Sequence, residues 1–200
     1  MKTIITTAAA SLGMMAAQAQ TNWKVDASHS KLGFSVLHMM VTETEGYFKI
    51  FDGNISSKSD IDFTDASISF TADVNSINTN DEKRDGHLKS PDFFDAPKFP
   101  SITFKAASIK PDASEKNAYT IDGDLTMHGI TKKIKLQAIG ASAPVKDPYG
   151  NIKYGFNVTG KINRKEFDLK WNVALEAGGV LVSENVNLKI NIELVKVQSK

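Results

Sequence analysis

The sequence predicts an all-β domain of about eight antiparallel strands, because apolar and polar residues alternate along most of the chain. Each alternating segment has one apolar and one polar face, which is typical of an antiparallel sheet with one face in solvent. With 200 residues, 41% of them apolar and 24% charged, the chain suits a single globular domain. Eight strands are compatible with a sandwich or a closed barrel. Small inward residues favour the barrel by leaving room for a ligand; they are Gly123, Ala138, Gly140 and Gly160.

Residues 1–19 have the pattern of a secretory signal peptide. Lys2 precedes an uncharged run that ends at Ala17, and Ala17-Gln18-Ala19 fits the small-x-small cleavage rule. We therefore expect export from the cytoplasm and a mature domain of residues 20–200. The chain has no cysteine, which excludes a disulfide, a thiolate metal site and a lipid anchor at the cleavage site.

The strands of the mature chain are predicted from their period-two alternation. The apolar faces are Leu32, Phe34, Val36, His38 and Met40; Ile68, Phe70, Ala72 and Val74; Ile102, Phe104 and Ala106; Tyr119, Ile121, Gly123, Leu125 and Met127; Ile134, Leu136 and Ala138; Phe156, Val158 and Gly160; and Val186, Leu188, Ile190, Ile192 and Leu194. We expect these faces to point inward, because a slip of one residue would place Phe34 and Leu125 in water.

Two regions interrupt the alternation. In residues 43–56, Phe48 and Phe51 fall on opposite faces, and we expect a bulge near Gly46 or Gly53. Residues 76–100 contain a short predicted helix, about Glu82 to Leu88, and then a stretch with three prolines and three phenylalanines. A long apolar insertion of this kind in a compact domain is typical of a lid or binding element.

Signals for catalysis are sparse. The chain lacks the G-x-S-x-G, P-loop, G-x-G-x-x-G and H-E-x-x-H motifs. Its four histidines are far apart in sequence, so we predict no catalytic residue and no metal site, unless barrel closure brings two of them to an aspartate. With 24 basic and 23 acidic residues, the chain has no basic surplus for nucleic acid. No stretch reaches the ~18 apolar residues of a transmembrane segment.

Two charged clusters have alternative interpretations. Arg84 and Asp85 beside His87 would either contact a ligand's head group at a barrel mouth or form a local salt bridge that caps a short helix. Arg164 and its neighbours Lys165 and Glu166 would either meet a ligand or form a charge cluster at the end of a strand. Sequence reasoning leaves both alternatives open.

Five motifs, spread in order over residues 23–197, resemble those of the YceI-like family. They are Asp26-Ala27-Ser28-His29-Ser30-Lys31-Leu32-Gly33-Phe34 followed by His38; Gly46-Tyr47-Phe48 with Phe51-Asp52-Gly53; Ser76-Ile77-Asn78-Thr79-Asn80 followed by Arg84-Asp85-Gly86-His87-Leu88 and by Asp92-Phe93-Phe94-Asp95 to Phe99-Pro100-Ser101-Ile102-Thr103-Phe104; Gly123-Asp124-Leu125-Thr126-Met127-His128-Gly129-Ile130-Thr131-Lys132; and Asn163-Arg164-Lys165-Glu166-Phe167. One departure from the family pattern is Gly86, where many relatives carry a bulkier residue.

The resemblance implies an extended, lipocalin-like antiparallel β-barrel of eight strands with a helix and loop insertion near residues 76–100. It also implies an apolar pore that holds a polyisoprenoid, an isoprenoid quinone or a related long-chain amphiphile, and a periplasmic location. We therefore expect a lipid-binding carrier that has no cofactor other than its bound isoprenoid lipid, and that is not an enzyme. A homodimer is compatible with the sequence.

The candidate ligand-binding residues fall into three groups. The predicted tunnel residues are Phe34, Val36, Phe48, Phe70, Phe104, Leu125, Met127, Leu136 and Phe156. The predicted lid residues are Leu88, Phe94 and Phe99, and the predicted mouth residues are His38, Arg84, His87 and Arg164. Two alternatives remain: an enzyme that modifies such a lipid, which a His–Asp pair inside the cavity would favour, and a packed barrel that acts as an interaction protein.

Overall fold

The computed structural model describes residues 20–113, 115–176 and 178–198. The predicted signal peptide, residues 1–19, lies outside the described residues. The elements are β1 (Thr21–Val25), β2 (Lys31–His38), β3 (Thr42–Phe48), β4 (Phe51–Ser57), β5 (Ser67–Asp73), β6 (Ile77–Asn78), α1 (Glu82–Lys89), β7 (Ser101–Pro111), β8 (Ala118–Met127), β9 (Ile130–Gly140), β10 (Val145–Lys146), β11 (Ile152–Asn163) and β12 (Val182–Lys196).

These elements form a closed antiparallel barrel in which neighbours in the chain are neighbours in the sheet. Three of its walls are broken strands, namely β1 with β2, β3 with β4, and β5 with β6. Together with β7, β8, β9, β11 and β12, they make the eight walls of the described barrel. The barrel closes because β12 pairs with β11 on one side and with β1 and β2 on the other. The predicted eight-stranded barrel is thereby confirmed.

The breaks in the walls have local causes. Between β1 and β2, the Asp26 carboxylate accepts a hydrogen bond from the Ser28 amide at 3.1 Å, and residues Ala27–His29 form a turn of 3-10 helix. Between β3 and β4, Lys49 and Ile50 leave the ladder, so that Phe48 and Phe51 are both buried. The bulge predicted at Gly46 or Gly53 is therefore wrong, since both glycines are in regular register.

The barrel has two ends, which we name by what covers them. The loops after β4, β7 and β9 lie at the plug end, where the side chain of Phe63 fills the barrel. The loops after β2, β6, β8 and β11 lie at the helix end. There α1 and residues 90–100, together called the lid segment, cover a gap, because in the described chain β6 pairs with β3 and not with β7.

Candidate functional site: an apolar cavity inside the barrel

A cavity of about 260 Å³ runs inside the barrel, lined by the inward faces of its strands. Among the described residues that line it, only Tyr119 and Arg164 carry a side-chain nitrogen or oxygen. Twelve predicted site residues are part of its wall: Phe34, Val36, Phe48, Phe70, Leu88, Phe94, Phe104, Leu125, Met127, Leu136, Phe156 and Arg164. The predicted inward register of Phe34 and Leu125 agrees with this placement.

The inward glycines have a different role from the one expected. Each lies beneath a large side chain of a neighbouring strand: a Cβ on Gly123 would come within 2.4 Å of Phe104 Cζ, and one on Gly160 within 2.6 Å of Leu136 Cδ2. Their missing side chains thus make room for wall residues to lie flat against the sheet. Side chains that occupy the space above these glycines lie close to the wall, which leaves the centre of the barrel to the cavity.

The plug end is closed by aromatic packing around Phe63, which is 3% exposed. Its ring centroid lies 4.8 Å from that of Phe156, 5.1 Å from Tyr154 and 5.9 Å from Trp23. Trp23 Nε1 donates a hydrogen bond of 2.9 Å to Ser57 Oγ. Sequence reasoning missed this plug, because Phe63 lies in a short and mostly polar loop and no local pattern shows what it contacts.

The helix end is closed by apolar side chains of the lid segment. Leu88, Phe93 and Phe94 line the cavity, and the Phe94 ring packs edge-on against Phe48 with centroids 6.2 Å apart. The Phe94 amide donates to the Leu88 carbonyl at 3.0 Å, which folds the loop back onto the end of α1. Phe93, which was not among the predicted lid residues, also faces inward because period-two alternation does not apply to this turn.

Arg84 does not line the cavity. Its Nε and Nη2 donate to the Thr79 hydroxyl and carbonyl at 2.8 and 2.6 Å, and the buried Asp85 accepts from the Thr79 amide and hydroxyl at 2.8 and 2.6 Å. Asp81 lies 3.9 Å from the Arg84 guanidinium. The local capping interpretation thus describes this cluster, and its role is to hold the loop before α1.

Three further predicted site residues also lie outside the cavity wall. His87 Nε2 is 2.9 Å from an Asp92 carboxylate oxygen, and its ring packs edge-on against Phe93 and Trp171. Phe99 packs instead against His128, with ring centroids 4.6 Å apart. His38, the last residue of β2, is half-buried beyond the wall formed by Phe34 and Val36.

Arg164 is the charged side chain of the cavity wall. It follows directly after β11 and is 4% exposed. Its guanidinium donates to the carbonyl groups of four residues, which are Leu169, Trp171, Val182 and Ser183, at 2.5, 2.9, 3.3 and 2.9 Å. Burial lowers the pKa of this guanidinium, while the nearby Glu184 acts in the opposite direction.

A second ionic cluster, outside the cavity, joins Asp26, His29 and Glu193. Their oxygen and nitrogen atoms have the spacing of metal ligands, yet the Lys153 ammonium lies among them, 2.6 Å from Asp26 and 3.0 Å from Glu193. The hydrogen bond from Lys153 is the main cause that holds the pKa of Asp26 well below its usual range. The cluster therefore carries its own cation and connects the break after β1 to β11 and β12.

Among the described residues, no helix is both long and apolar enough to cross a bilayer.

Comparison with known proteins matches residues 23–194 to the YceI-like domain model. Two UPF0312 proteins of Staphylococcus aureus, from strains N315 and USA300, are 37% and 38% identical to this chain over 176 residues. Each alignment covers 86% of this chain and 96% of the relative.

Solved structures share the architecture. A Campylobacter jejuni YCEI protein aligns with a TM-score of 0.68 and 28% identity, covering 86% of this chain and 96% of its own. Burkholderia cenocepacia BcnA aligns with a TM-score of 0.70 and 24% identity, covering 84% and 98%. A polyisoprenoid binding domain from Saccharophagus degradans aligns with a TM-score of 0.59 and 16% identity, covering 88% and 98%. The last two similarities show a shared fold.

Proposed function

The chain belongs to the YceI-like family, and from this membership we propose that it binds a long-chain isoprenoid lipid inside its barrel and carries it through the periplasm. The observation that supports the proposal is the cavity itself. Its described wall is hydrocarbon except at Tyr119 and Arg164. Phe63 fills the barrel at one end, and the lid segment covers the other.

The physical reason is the hydrophobic effect. Each CH₂ group that leaves water for such a cavity contributes about 0.8 kcal/mol of binding free energy. A chain of several five-carbon units is therefore bound with far more free energy than a compact solute. Ordering a flexible chain offsets part of this gain. The cavity needs no specific polar contacts along its length, which agrees with a wall made almost wholly of aliphatic and aromatic side chains.

The ligand class is suggested by family membership and by the Saccharophagus degradans domain, which is described as polyisoprenoid-binding. The cavity in this chain supplies the independent physical support, since a polyisoprenoid or an isoprenoid quinone tail is long, flexible and apolar. Transport through the periplasm rests on the signal-peptide pattern of residues 1–19. An intact mass of the envelope-fraction protein that matches cleavage after Ala19 would support export, and the precursor mass would contradict it.

A binding role fits the site better than catalysis or simple structural packing. The His–carboxylate contacts of the described chain lie outside the cavity wall; they join His29 to Asp26 and Glu193, and His87 to Asp92. No described histidine or carboxylate lines the cavity, and the Tyr119 hydroxyl contacts the backbone of Phe63 and Ile61, so the wall offers a lipid no free general acid or base. The open interior also disfavours a fully packed barrel whose only role is interaction through its outer surface.

The test is native mass spectrometry, with lipid extraction, of protein purified from its own cell envelope. Val158 and Asn157 are neighbours on β11, and Val158 lines the cavity while Asn157 is exposed. We expect the wild type and Asn157→Trp to carry an isoprenoid lipid and Val158→Trp to carry none, because an inward indole fills the cavity. Equal loading of both variants, or a wild type without lipid, would overturn the proposal, provided that melting curves show folded protein.

A further inference from the structure

Arg164 extends the inward row of β11 beyond the end of the strand. The row runs through Tyr154, Phe156, Val158 and Ile162, and the next residue of the same parity is Arg164. Arg164 is the first residue of a 3-10 turn, and it has a permanently charged group where an apolar side chain would continue the inward row of the strand. The charge lies at the helix end, next to Leu169 and Val182, which also line the cavity.

The guanidinium is held by the backbone and not by an acid. Four of its five N–H groups donate to the carbonyls of Leu169, Trp171, Val182 and Ser183. Within the described residues, no carboxylate lies within 4 Å of it, and the fifth N–H, on Nη2, has no protein acceptor. Glu184, the acid that acts on it most directly, instead pairs at the surface with Lys165 at 2.6 Å.

This arrangement leaves a buried positive charge without a counter-ion. Carbonyl dipoles orient the guanidinium and satisfy its donors, but they carry no net charge to neutralise it. A buried charge is costly unless it is paired, and an apolar cavity screens an arriving anion far less than water does. An anionic group in the cavity would be attracted, a neutral group of the same shape would gain a hydrogen bond at most, and a cationic group would be repelled.

We propose that Arg164 makes the cavity selective for amphiphiles with an anionic head, a carboxylate or a phosphate monoester, and orients them with that head at the helix end. This inference rests on the proposed function, since it assumes that a long-chain ligand enters the cavity. It adds the charge of the ligand's head group and the orientation of the ligand in the barrel, neither of which follows from the apolar wall. The residue acts as a specificity determinant, while the hydrocarbon wall supplies most of the binding free energy.

The first test uses wild-type protein and one prenyl chain with five heads: geranylgeranoic acid, its methyl ester, the alcohol, the amine and the monophosphate. Competition against a fluorescent lipid gives the affinities. We expect the acid to bind roughly 10- to 100-fold more tightly than its methyl ester, which corresponds to about 1.4–2.8 kcal/mol, and the amine to bind most weakly. The acid and the monophosphate together show whether the site takes carboxylates, phosphates or both.

Each outcome separates the two proposals. Equal affinity for the acid, ester and amine would overturn the selectivity of Arg164 while leaving lipid binding intact. Failure of all five compounds to bind would overturn the proposed function and this inference with it. Wild-type protein is used because Arg164 joins several backbone segments, so its replacement would disturb the fold as well as the charge.

The second test measures orientation with the two tryptophans of the chain, one near each end. Trp171 packs against Phe93 at the helix end with ring centroids 5.1 Å apart, and Trp23 lies behind Phe63 at the plug end. A bromine beside the carboxylate should quench Trp171 several-fold more than a bromine at the chain terminus. Trp171→Phe, which keeps the carbonyl that Arg164 contacts, should lose that signal; stronger quenching by the terminal bromine would overturn the orientation.

Discussion

The two ends of the barrel are closed by different physical means. At the plug end, Phe63 is surrounded by rings from β1, β8 and β11, so its contacts join residues that are far apart in the chain. At the helix end, the polar contacts of Thr79, Asp85 and Phe94 stay within the lid segment and the loop before it. The lid segment meets the barrel mainly through aromatic contacts, such as that between Phe94 and Phe48.

Because of this difference, one end contributes mainly to the stability of the barrel and the other controls the access of lipid to the cavity. Contacts that join several strands are lost only when the barrel unfolds, so the plug end contributes to global stability. A hydrogen bond from the Val74 amide to the Pro100 carbonyl joins the last residue of the lid segment to the wall. The rest of the segment can move away from the barrel with its internal contacts intact, and such local opening costs less than global unfolding. We therefore expect changes at the plug end to alter the free energy of unfolding, and changes at the helix end to alter lipid release as well.

The largest effect is expected from Phe63→Ala. The substitution removes a buried ring and leaves a space that its neighbours in three strands cannot fill, so the free energy of unfolding should fall by about 3–5 kcal/mol. Urea denaturation measures it. Ile61→Ala in the same loop is the matched control, because Ile61 is 61% exposed and its loss should cost less than about 0.5 kcal/mol. If the two variants lose similar amounts of unfolding free energy, Phe63 does not act as a plug.

Phe94→Ala should have a smaller effect on stability and a clear effect on lipid release. One side of the ring faces the cavity, so we expect a loss of about 2 kcal/mol, below the usual cost for a core phenylalanine, with a several-fold faster lipid off-rate. Phe99→Ala is the control, because Phe99 lies in the same segment but packs against His128. A large fall in Tm with an unchanged off-rate would make Phe94 an ordinary core residue.

Asp26, which lies in the wall between the two ends, should make the free energy of unfolding depend on pH. Its folded pKa is lowered mainly by the hydrogen bond from Lys153, and the unfolded value is about 3.9. A lowered folded pKa stabilises the protein above the unfolded pKa, and this stabilisation is lost as the pH falls from about 5 downward. Asp26→Asn should therefore cost about 1–2 kcal/mol at pH 7 and flatten the acid side of the stability profile.

The control for Asp26→Asn is Asp52→Asn, a change at an exposed residue of β4. Chemical denaturation at several pH values between 3 and 7 measures both variants. If the acid limb of Asp26→Asn matches that of the wild type, the Lys153 contact does not produce the pH dependence. Lipid off-rates should be the same for all three proteins, because the cluster lies outside the cavity wall.

The smallest effect is expected from Gly86→Ala in α1. No atom outside the helix lies within 4 Å of a Cβ built there, so alanine fits and should stabilise the helix by about 0.5–1 kcal/mol. We expect a small rise in Tm and a modestly slower lipid release. Gly46→Ala is the opposite case, because its Cβ would lie 2.4 Å from Phe34 Cζ and should lower Tm. A destabilised Gly86→Ala protein would contradict this account of α1.

Much of the cavity wall could be predicted from the sequence, because strand alternation is a local property. The inward positions of Phe34, Leu125 and Phe156 follow from period two alone, and their shared place in the cavity wall follows once the sheet closes. The helix near residues 82–88 was also predictable, since Asp81 caps it and accepts from the Arg84 amide. The family resemblance added the barrel topology that alternation leaves open.

The sequence by itself thus determined the family and most of the strands with their inward faces, because these depend on residues close together in the chain. The predicted inward face of β2 was wrong at its end, where Met40 is 58% exposed. Only the tertiary structure decided that Phe63 plugs one end, that Arg84 bonds its own loop, and that Arg164 is buried among carbonyls of other segments. Each of these outcomes depends on partners brought together by folding. A side chain in a loop or at a strand end has no periodic neighbours to orient it, so its contacts are set by the closed barrel.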